Sequence, residues 1–199
     1  MITAILLAAG ESRRMRTSKP LLDWGGETLI EYQVTQLRKG GCDEVIAVLG
    51  HAARKVRPLA ERAGALAVVN TEYTAGRASS LRAGAFAIPP GTSEVVVLNV
   101  DQPRPADIIR KLLQSHLSTG ALITLPTYEG KRGHPALLCG SLAPELKRVD
   151  DATRGLHEII HRRAQDVSEL PFDSDIVLLD INTPEDYDAA RTQFAEMKL

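Results

Sequence analysis

Through residue 126 the chain alternates short apolar runs with stretches of helical periodicity. The runs lie at 2–8, 44–49, 65–70, 94–100 and 121–125, and their near-continuous apolarity suits strands covered by helices on both faces. Ile30, Val34 and Leu37 recur at i, i+4 and i+7 and predict a helix that stops at Gly40-Gly41. A second helix begins near Pro105, a favoured first-turn residue, buries Ile108, Ile109, Leu112 and Leu113, and ends near Gly120. Strands alternating with helices in this way predict an α/β fold, a three-layer doubly wound sheet of mostly parallel strands.

After residue 126 the rhythm loosens. A loop over 129–134 leads to the apolar run 135–139, then to two helical patterns and a late strand expected at 176–179. Thr183-Pro184-Glu185-Asp186 reads as the N-cap, first-turn proline and acidic first turn of a final helix. With no repeat, low-complexity tract or linker, one domain over 1–199 is expected.

Composition narrows the function classes. Lys plus Arg total 24 against 25 Asp plus Glu, a net charge of -1, which lacks the basic excess of a dedicated nucleic-acid binder. Aromatics at 4% are too few for a base-stacking platform, and 44% hydrophobic residues exclude a disordered or fibrous chain. Cys42 and Cys139 form no CxxC pair, so two reduced thiols are expected rather than a disulfide framework or a cysteine zinc site. The apolar N-terminus has no cation before it and Arg13, Arg14, Arg16 and Lys19 after it, the wrong polarity for secretion and too short a run to span a bilayer. A cytoplasmic protein without membrane contact is the expectation. Charge is also segregated: four cations crowd 13–19, whereas residues 164–190 hold eight acids and no Lys or Arg.

The first strand runs into Ala9-Gly10-Glu11-Ser12-Arg13-Arg14-Met15, with Lys19-Pro20-Leu21-Leu22 beyond. A small-residue loop at the carboxyl end of a first parallel strand is where open α/β sheets bind phosphates, because backbone N–H groups can approach the oxygens while Arg and Lys neutralise them. The loop is neither GxGxxG nor a P-loop ending in GKS or GKT. Asp101 ends the fourth strand, and capping does not account for it, since the next helix starts near Pro105 with Asp107 in its first turn. If first and fourth strands are adjacent, Asp101 lies beside the 8–19 loop, and a carboxylate next to a triphosphate requires a divalent cation between them. Asp180 and Asn182 fall on one side of an extended segment, with Ile181 opposite and Thr183 used by the cap.

As a whole, Leu7-Ala8-Ala9-Gly10-x-Ser12-x-Arg14-Met15…Lys19-Pro20-Leu21-Leu22 resembles the signature of transferases that join a nucleoside monophosphate to a phosphate monoester. Within these it is most similar to the molybdenum-cofactor cytidylyltransferase family. Further segments extend the resemblance: Gly76-Arg77-Ala78-Ser79-Ser80-Leu81-Arg82-Ala83-Gly84, Asp101-Gln102-Pro103, Arg132-Gly133-His134-Pro135, and Asp180 through Tyr187. The resemblance implies a nucleotide-diphospho-sugar transferase-like (Rossmann-like) fold. In it, residues 1–126 would bind nucleotide, and 127–199 would bind the acceptor and complete the metal site. It implies Mg²⁺ held by Asp101 with Asn182 or Asp180, and Arg14 and Lys19 acting with Asp101 in catalysis. Leu7, Ala8, Ala9, Gly10, Ser12, Arg14, Lys19, Asn70, Gly76, Ser79 and Ser80 would contact nucleotide, and Arg132, Gly133 and His134 the acceptor. Either serine could equally begin a helix as its cap. The family usually has Asp where Asn182 stands. Guanylyl members tend to carry a second Gly at the Ala9 position, so CTP is the expected donor. The implied acceptor is molybdopterin or its molybdenum form, with a molybdoenzyme or maturation factor as a possible partner. A sugar or alditol phosphate is the same-chemistry alternative. The stretch Asp150-Asp151-Ala152-Thr153-Arg154 departs from the family's D-x-G-A-R pattern, which bears on the acceptor.

A rival motif is present. His157-Glu158-Ile159-Ile160-His161 is a literal H-E-x-x-H and could hold zinc with Glu158 as a peptidase base. Against this, Leu156, Ile159 and Ile160 form the apolar stripe and turn both histidines to the polar side, and Arg162-Arg163 follow where a dication would sit. A solvated amphipathic helix is the preferred reading, with the zinc peptidase and a non-catalytic nucleotide-binding protein kept as alternatives.

Overall fold

The computed structural model describes residues 1–15, 17–152 and 155–196. Four strands, β1 (Ile2–Ala8), β2 (Glu44–Leu49), β3 (Leu66–Val69) and β4 (Glu94–Asn99), alternate with α1 (Leu29–Lys39), α2 (Ala53–Arg62) and α3 (Arg77–Phe86). Then come α4 (Ala106–Thr119), β5 (Ile123–Tyr128), the two-residue β6 (Lys131–Arg132), β7 (Ala136–Cys139), α5 (Ala143–Leu146), α6 (Leu156–Arg162), β8 (Val167–Pro171) and α7 (Pro184–Glu196). The strands form one sheet in the order β3-β2-β1-β4-β7-β5-β6, with β8 on β5. β1 lies between β2 and β4, parallel to both, as the phosphate-loop reading requires. Strand β7 pairs antiparallel with both β4 and β5, a break in an otherwise largely parallel sheet.

Alternation along each strand divides the core into two layers. Ala4 and Leu6 of β1, Ala47 and Leu49 of β2, and Val96 and Leu98 of β4 pack with α1, α2, α4 and α7. Ile5, Ile46, Val48, Val95 and Val97 face α3, α5 and α6. Both faces of the central strands are therefore covered, which is why they read as continuous apolar runs. Gly84 lets α3 sit close on the sheet: a Cβ there would lie 2.6 Å from Ile5 Cγ2.

The final helix keeps its expected cap, whereas Pro105 is the N-cap of α4 rather than a first-turn residue. Thr28 and Glu31 form a capping box at α1, and Thr183 Oγ1 accepts from the Asp186 N–H at the start of α7. Three further elements depart from expectation. Residues 175–178 form a 3₁₀ turn rather than a strand, because Ser174 Oγ caps it and the Val177 and Leu179 carbonyls bond to side chain and loop donors instead of a neighbouring strand. β8 has no apolar run to announce it, since it pairs with β5 alone and stays half-exposed. At α3 the cap position belongs to Gly76, at φ +126°, so Ser79 and Ser80 lie inside the helix rather than capping it.

Half of the few aromatics gather in one place. Trp24 packs edge-on to Phe194 at 5.0 Å and lies 5.9 Å from Tyr32 and 6.2 Å from Tyr187, so α7 is clamped onto α1 and the loop before it. Elsewhere, His116 is buried between Thr124 (Nδ1 to Oγ1, 2.7 Å) and Glu94 (Nε2 to carboxylate, 2.8 Å), bracing α4 against β4 and β5. His116→Ala leaves both partners unmatched and is expected to lower stability by about 1–3 kcal/mol, measured as a fall in the denaturant midpoint.

Candidate active site

The carboxyl ends of β1 and β4 meet at a cavity of about 280 Å³, walled by Leu7, Ala8, Ala9, Gly10, Ser12 and Lys19 on one side and by Gly76, Ser80, Asn99 and Asp101 on the other. The loop leaving β1 turns at Ser12, whose φ of +54° lies in the left-handed region, and Ser12 Oγ accepts from the Lys19 N–H at 3.1 Å. Buried Met15 anchors the loop from below. A Cβ on Gly10 would meet no protein atom within 4 Å, so packing does not require glycine there. A small residue facing the cavity leaves room for a ligand to approach the backbone closely.

The loop delivers Lys19 to Asp101. Lys19 Nζ donates to Asp101 Oδ2 at 2.7 Å and to Asn182 Oδ1 at 3.2 Å, and Arg14 Nη2 reaches the same Asn182 oxygen at 3.1 Å. Asn182 is fixed from behind, because the Asp186 carboxylate accepts from the N–H groups of both Asn182 and Thr183 at 2.8 Å. Those backbone donors hold the Asp186 carboxyl below its usual range. Asp180 presents much of its surface to solvent, yet desolvation against the cavity wall and the charge of Asp101 push its carboxyl upward. Ile181 is fully buried between the two, and its N–H donates to the Asp101 carbonyl at 2.8 Å.

Asp101, Asp180 and Asn182 bring together oxygen donors alone, the ligand chemistry of Mg²⁺ or Mn²⁺. The Lys19 ammonium already rests on Asp101 and Asn182, so these oxygens are arranged to receive positive charge. The residues present fit a hard divalent cation. Among the described residues no three His, Cys, Asp or Glu side chains converge on a metal point. His157 and His161 are exposed on α6, and Glu158 lies 3.6 Å from Arg162.

A second cavity, about 360 Å³, shares the walls Leu7, Arg77 and Asn99 with the first. Its apolar floor comes from Leu81 and Val97, and its polar rim from Gln102, His134, Asp151, His157 and Asp180. Asp151 accepts from the Ala78 N–H through both oxygens at 3.1 Å, and only glycine fits at 76, where a Cβ would lie 2.2 Å from that carboxylate. Burial, then the charge of Arg104, drives the His134 imidazole down to about 4, so it is neutral at ordinary pH.

Other residues singled out in the sequence sit elsewhere. Asn70 and Ser79 are buried behind the first cavity and hydrogen-bonded to each other at 2.9 Å, and the Ser79 hydroxyl is spent on the Glu72 and Gly76 carbonyls. Of the two serines only Ser80 reaches the cavity wall. Arg132 lines neither cavity and pairs instead with Glu169 at 2.7 Å. Gly133 packs on the Val177 carbonyl, where a Cβ would sit 2.1 Å away. Arg16, Thr153 and Arg154 lie outside the described residues. Sequence reasoning gave no role to Arg77, Gln33 or Arg104. The last two carry a signal all the same: Gln33 is a polar residue on the buried face of α1, and Arg104 is enclosed between two prolines.

A small-residue loop, two cations and paired oxygen donors at the carboxyl end of the central strands, beside a second chamber, define a nucleotide-handling α/β transferase. Residues 4–167 match the model described as MobA-like NTP transferase domain, and the chain belongs to that family of nucleotidyltransferases. Over 169 residues it is 32% identical to nicotine blue oxidoreductase of Paenarthrobacter nicotinovorans, covering 81% of this chain and 82% of that one. It is 25% identical to the molybdenum cofactor cytidylyltransferase of Escherichia coli K12 over 98% of both chains. Among solved structures, the manganese complex of Rv0371c from Mycobacterium tuberculosis H37Rv superposes with a TM-score of 0.79 at 29% identity, covering 96% of this chain and 98% of that one. No helix among the described residues is long and apolar enough to cross a membrane.

The neutral His134 has a measurable consequence. An unfolded chain takes up this proton near pH 6.5, the folded protein only near 4. The unfolded state therefore binds more protons in that window, and stability falls as pH drops from 6.5 to 4. His134→Gln is expected to flatten this part of the curve of denaturant midpoint against pH.

Proposed function

We propose that the protein transfers CMP from CTP to a phosphate-monoester acceptor, molybdopterin or its molybdenum form, with release of pyrophosphate. The observation that carries the reading is Lys19 bridging Asp101 and Asn182 at the rim of a small-residue phosphate loop, with a second chamber across a shared wall. Two chambers sharing Leu7, Arg77 and Asn99 suit two substrates that meet, one supplying an α-phosphate and the other an attacking oxygen.

In this reading the first chamber takes the triphosphate against the backbone of Ala8, Ala9 and Gly10, with the second taking the acceptor between His134, His157 and Asp151. An oxygen of the acceptor phosphate bonds to the α-phosphorus, and the bond to the bridging oxygen breaks to free pyrophosphate. Lys19 and Arg14 offset charge on the α-phosphate and on the departing group, and no covalent nucleophile is needed. Asp101, with Asp180 and Asn182, would hold Mg²⁺, which supplies charge neutralisation between the two phosphates when bound. His134, uncharged, contributes a hydrogen-bonding edge without adding charge to the acceptor chamber. CTP as donor rests on Ala9 standing where guanylyl members tend to have glycine.

The nicotine blue oxidoreductase relative raises hydride transfer as a rival. A dinucleotide fold grips the cofactor ribose with a carboxylate near the end of its second strand, whereas β2 here runs into Leu49-Gly50-His51. That difference favours the transferase.

With Mg²⁺ present, CTP is expected to raise the melting temperature more than GTP, UTP or ATP, and NADH and NADPH are expected to give no shift. No stabilisation by any nucleoside triphosphate overturns the reading. In a pyrophosphate-release assay with molybdopterin, Lys19→Ala is expected to slow turnover by roughly 10²–10³-fold, the scale of one preorganised donor. A sugar or alditol phosphate serving as the better acceptor reassigns the second chamber and leaves the chemistry in place.

A further inference from the structure

Arg104 is fully buried and lines neither cavity. Its guanidinium nevertheless touches every segment that builds the acidic end of the site. Nε donates to the His134 carbonyl at 2.9 Å, Nη1 to the Pro103 carbonyl at 2.8 Å, and Nη2 to the Val177 and Leu179 carbonyls at 2.8 and 3.0 Å. One side chain thus joins the loop after Asp101, the turn bearing His134 and the segment that enters Asp180. The backbone of Arg104 is held in turn: its N–H donates to Gln33 Oε1 at 3.2 Å, while Gln33 Nε2 donates to the Gln102 and Asn99 carbonyls at 2.7 and 3.3 Å.

This contact set requires arginine. Four carbonyls on three separate chain segments need donors spread across a rigid plane, which a guanidinium provides and the clustered donors of a lysine ammonium do not. Among the described residues the group makes no salt bridge, so its burial is offset by the four carbonyl hydrogen bonds and by the charges of Asp180 and Asp101. The charges of Asp180 and Asp101 act on it, and these two side chains line the second and the first cavity. The positive charge thus lies behind two carboxylates that would otherwise repel each other.

We infer that Arg104 is a positioning residue: it fixes Asp180 and the His134 turn relative to Asp101, and so sets both the cation site and the adjoining wall of the acceptor chamber. It does so without touching the nucleotide loop, since none of its contacts reaches residues 7–19. The cation part of this inference rests on the proposed function.

The test compares wild type with Arg104→Lys, which keeps the charge and loses the planar fork. Mn²⁺ affinity is read by electron paramagnetic resonance of the free ion, and CTP affinity by calorimetry without metal. Loss of a group that orients metal ligands weakens metal binding by about 10–100-fold, and that range is expected here, together with a raised acceptor KM. Metal-free CTP affinity is expected to stay within about twofold of wild type, because the nucleotide loop is untouched. Mn²⁺ affinity and acceptor KM both equal to wild type overturn the inference. So does an equal loss of Mn²⁺ and metal-free CTP binding, which is what general loosening of the fold produces.

If Arg104→Lys does not fold, Gln33→Leu removes the backbone anchor while keeping the guanidinium, and the same selective weakening of Mn²⁺ binding is expected. Its absence counts equally against the role. A wild-type protein that binds no Mn²⁺ overturns the metal part of the proposed function instead. The positioning role is then read from the His134 ring resonances, displaced by either variant if Arg104 holds that turn and unmoved if it does not.

Discussion

Two carboxylates brought together beyond the carboxyl end of a central strand, partly out of water, must be met by positive charge, and much of this molecule is arranged to meet that need. Lys19 answers it from the loop after β1, at 2.7 Å from Asp101, with Arg14 beside it on Asn182. The contact forms because β1 and β4 are parallel neighbours, because the chain accepts a left-handed turn at Ser12, and because the Asp186 carboxylate pins the backbone at Asn182. The buried Arg104 supplies a third cation. Lys19 and Arg14 from the cation-rich stretch near the N-terminus thus meet Asn182, next to Asp180 in the acid-rich stretch near the C-terminus, at one site.

The sheet explains why two chambers exist. A purely parallel doubly wound sheet offers one main crevice, at the point where strand order reverses. Here β7 enters antiparallel between β4 and β5, and the turn that precedes it brings His134 alongside Gln102 and Asp180. The two chambers are therefore built largely from different parts of the chain and share only Leu7, Arg77 and Asn99.

The parts legible in the sequence were those governed by local pattern. β1 and β2 have the expected bounds because both faces of each are buried, so apolarity is continuous and ends where burial ends. Asp101 stood out because it ends a strand and Asn182 because it sits beside a cap that does not consume it, whereas Lys19 stood out as a cation beyond the small-residue loop after β1. Edge strand β8 and the 3₁₀ turn at Asp175–Leu178 were hidden, since their backbone partners lie more than 40 residues away and leave no periodicity. Arg104 was hidden for another reason: its guanidinium bonds to backbone carbonyls, which leave no pattern in the residue types. Arg132 shows the converse: it lies one residue from Gly133 and two from His134, but β6 pairing turns its side chain out to Glu169.

The aromatic clamp makes the protein self-reporting. Trp24 is the sole tryptophan, 5% exposed, and its ring rests on Phe194 and near Tyr187 of the helix that begins two residues after Asn182. Any shift of that helix, whether from ligand capture at Asn182 or from loss of the clamp, changes the surroundings of a single indole. The emission of one native fluorophore can thus follow the docking of the site's C-terminal wall without a label.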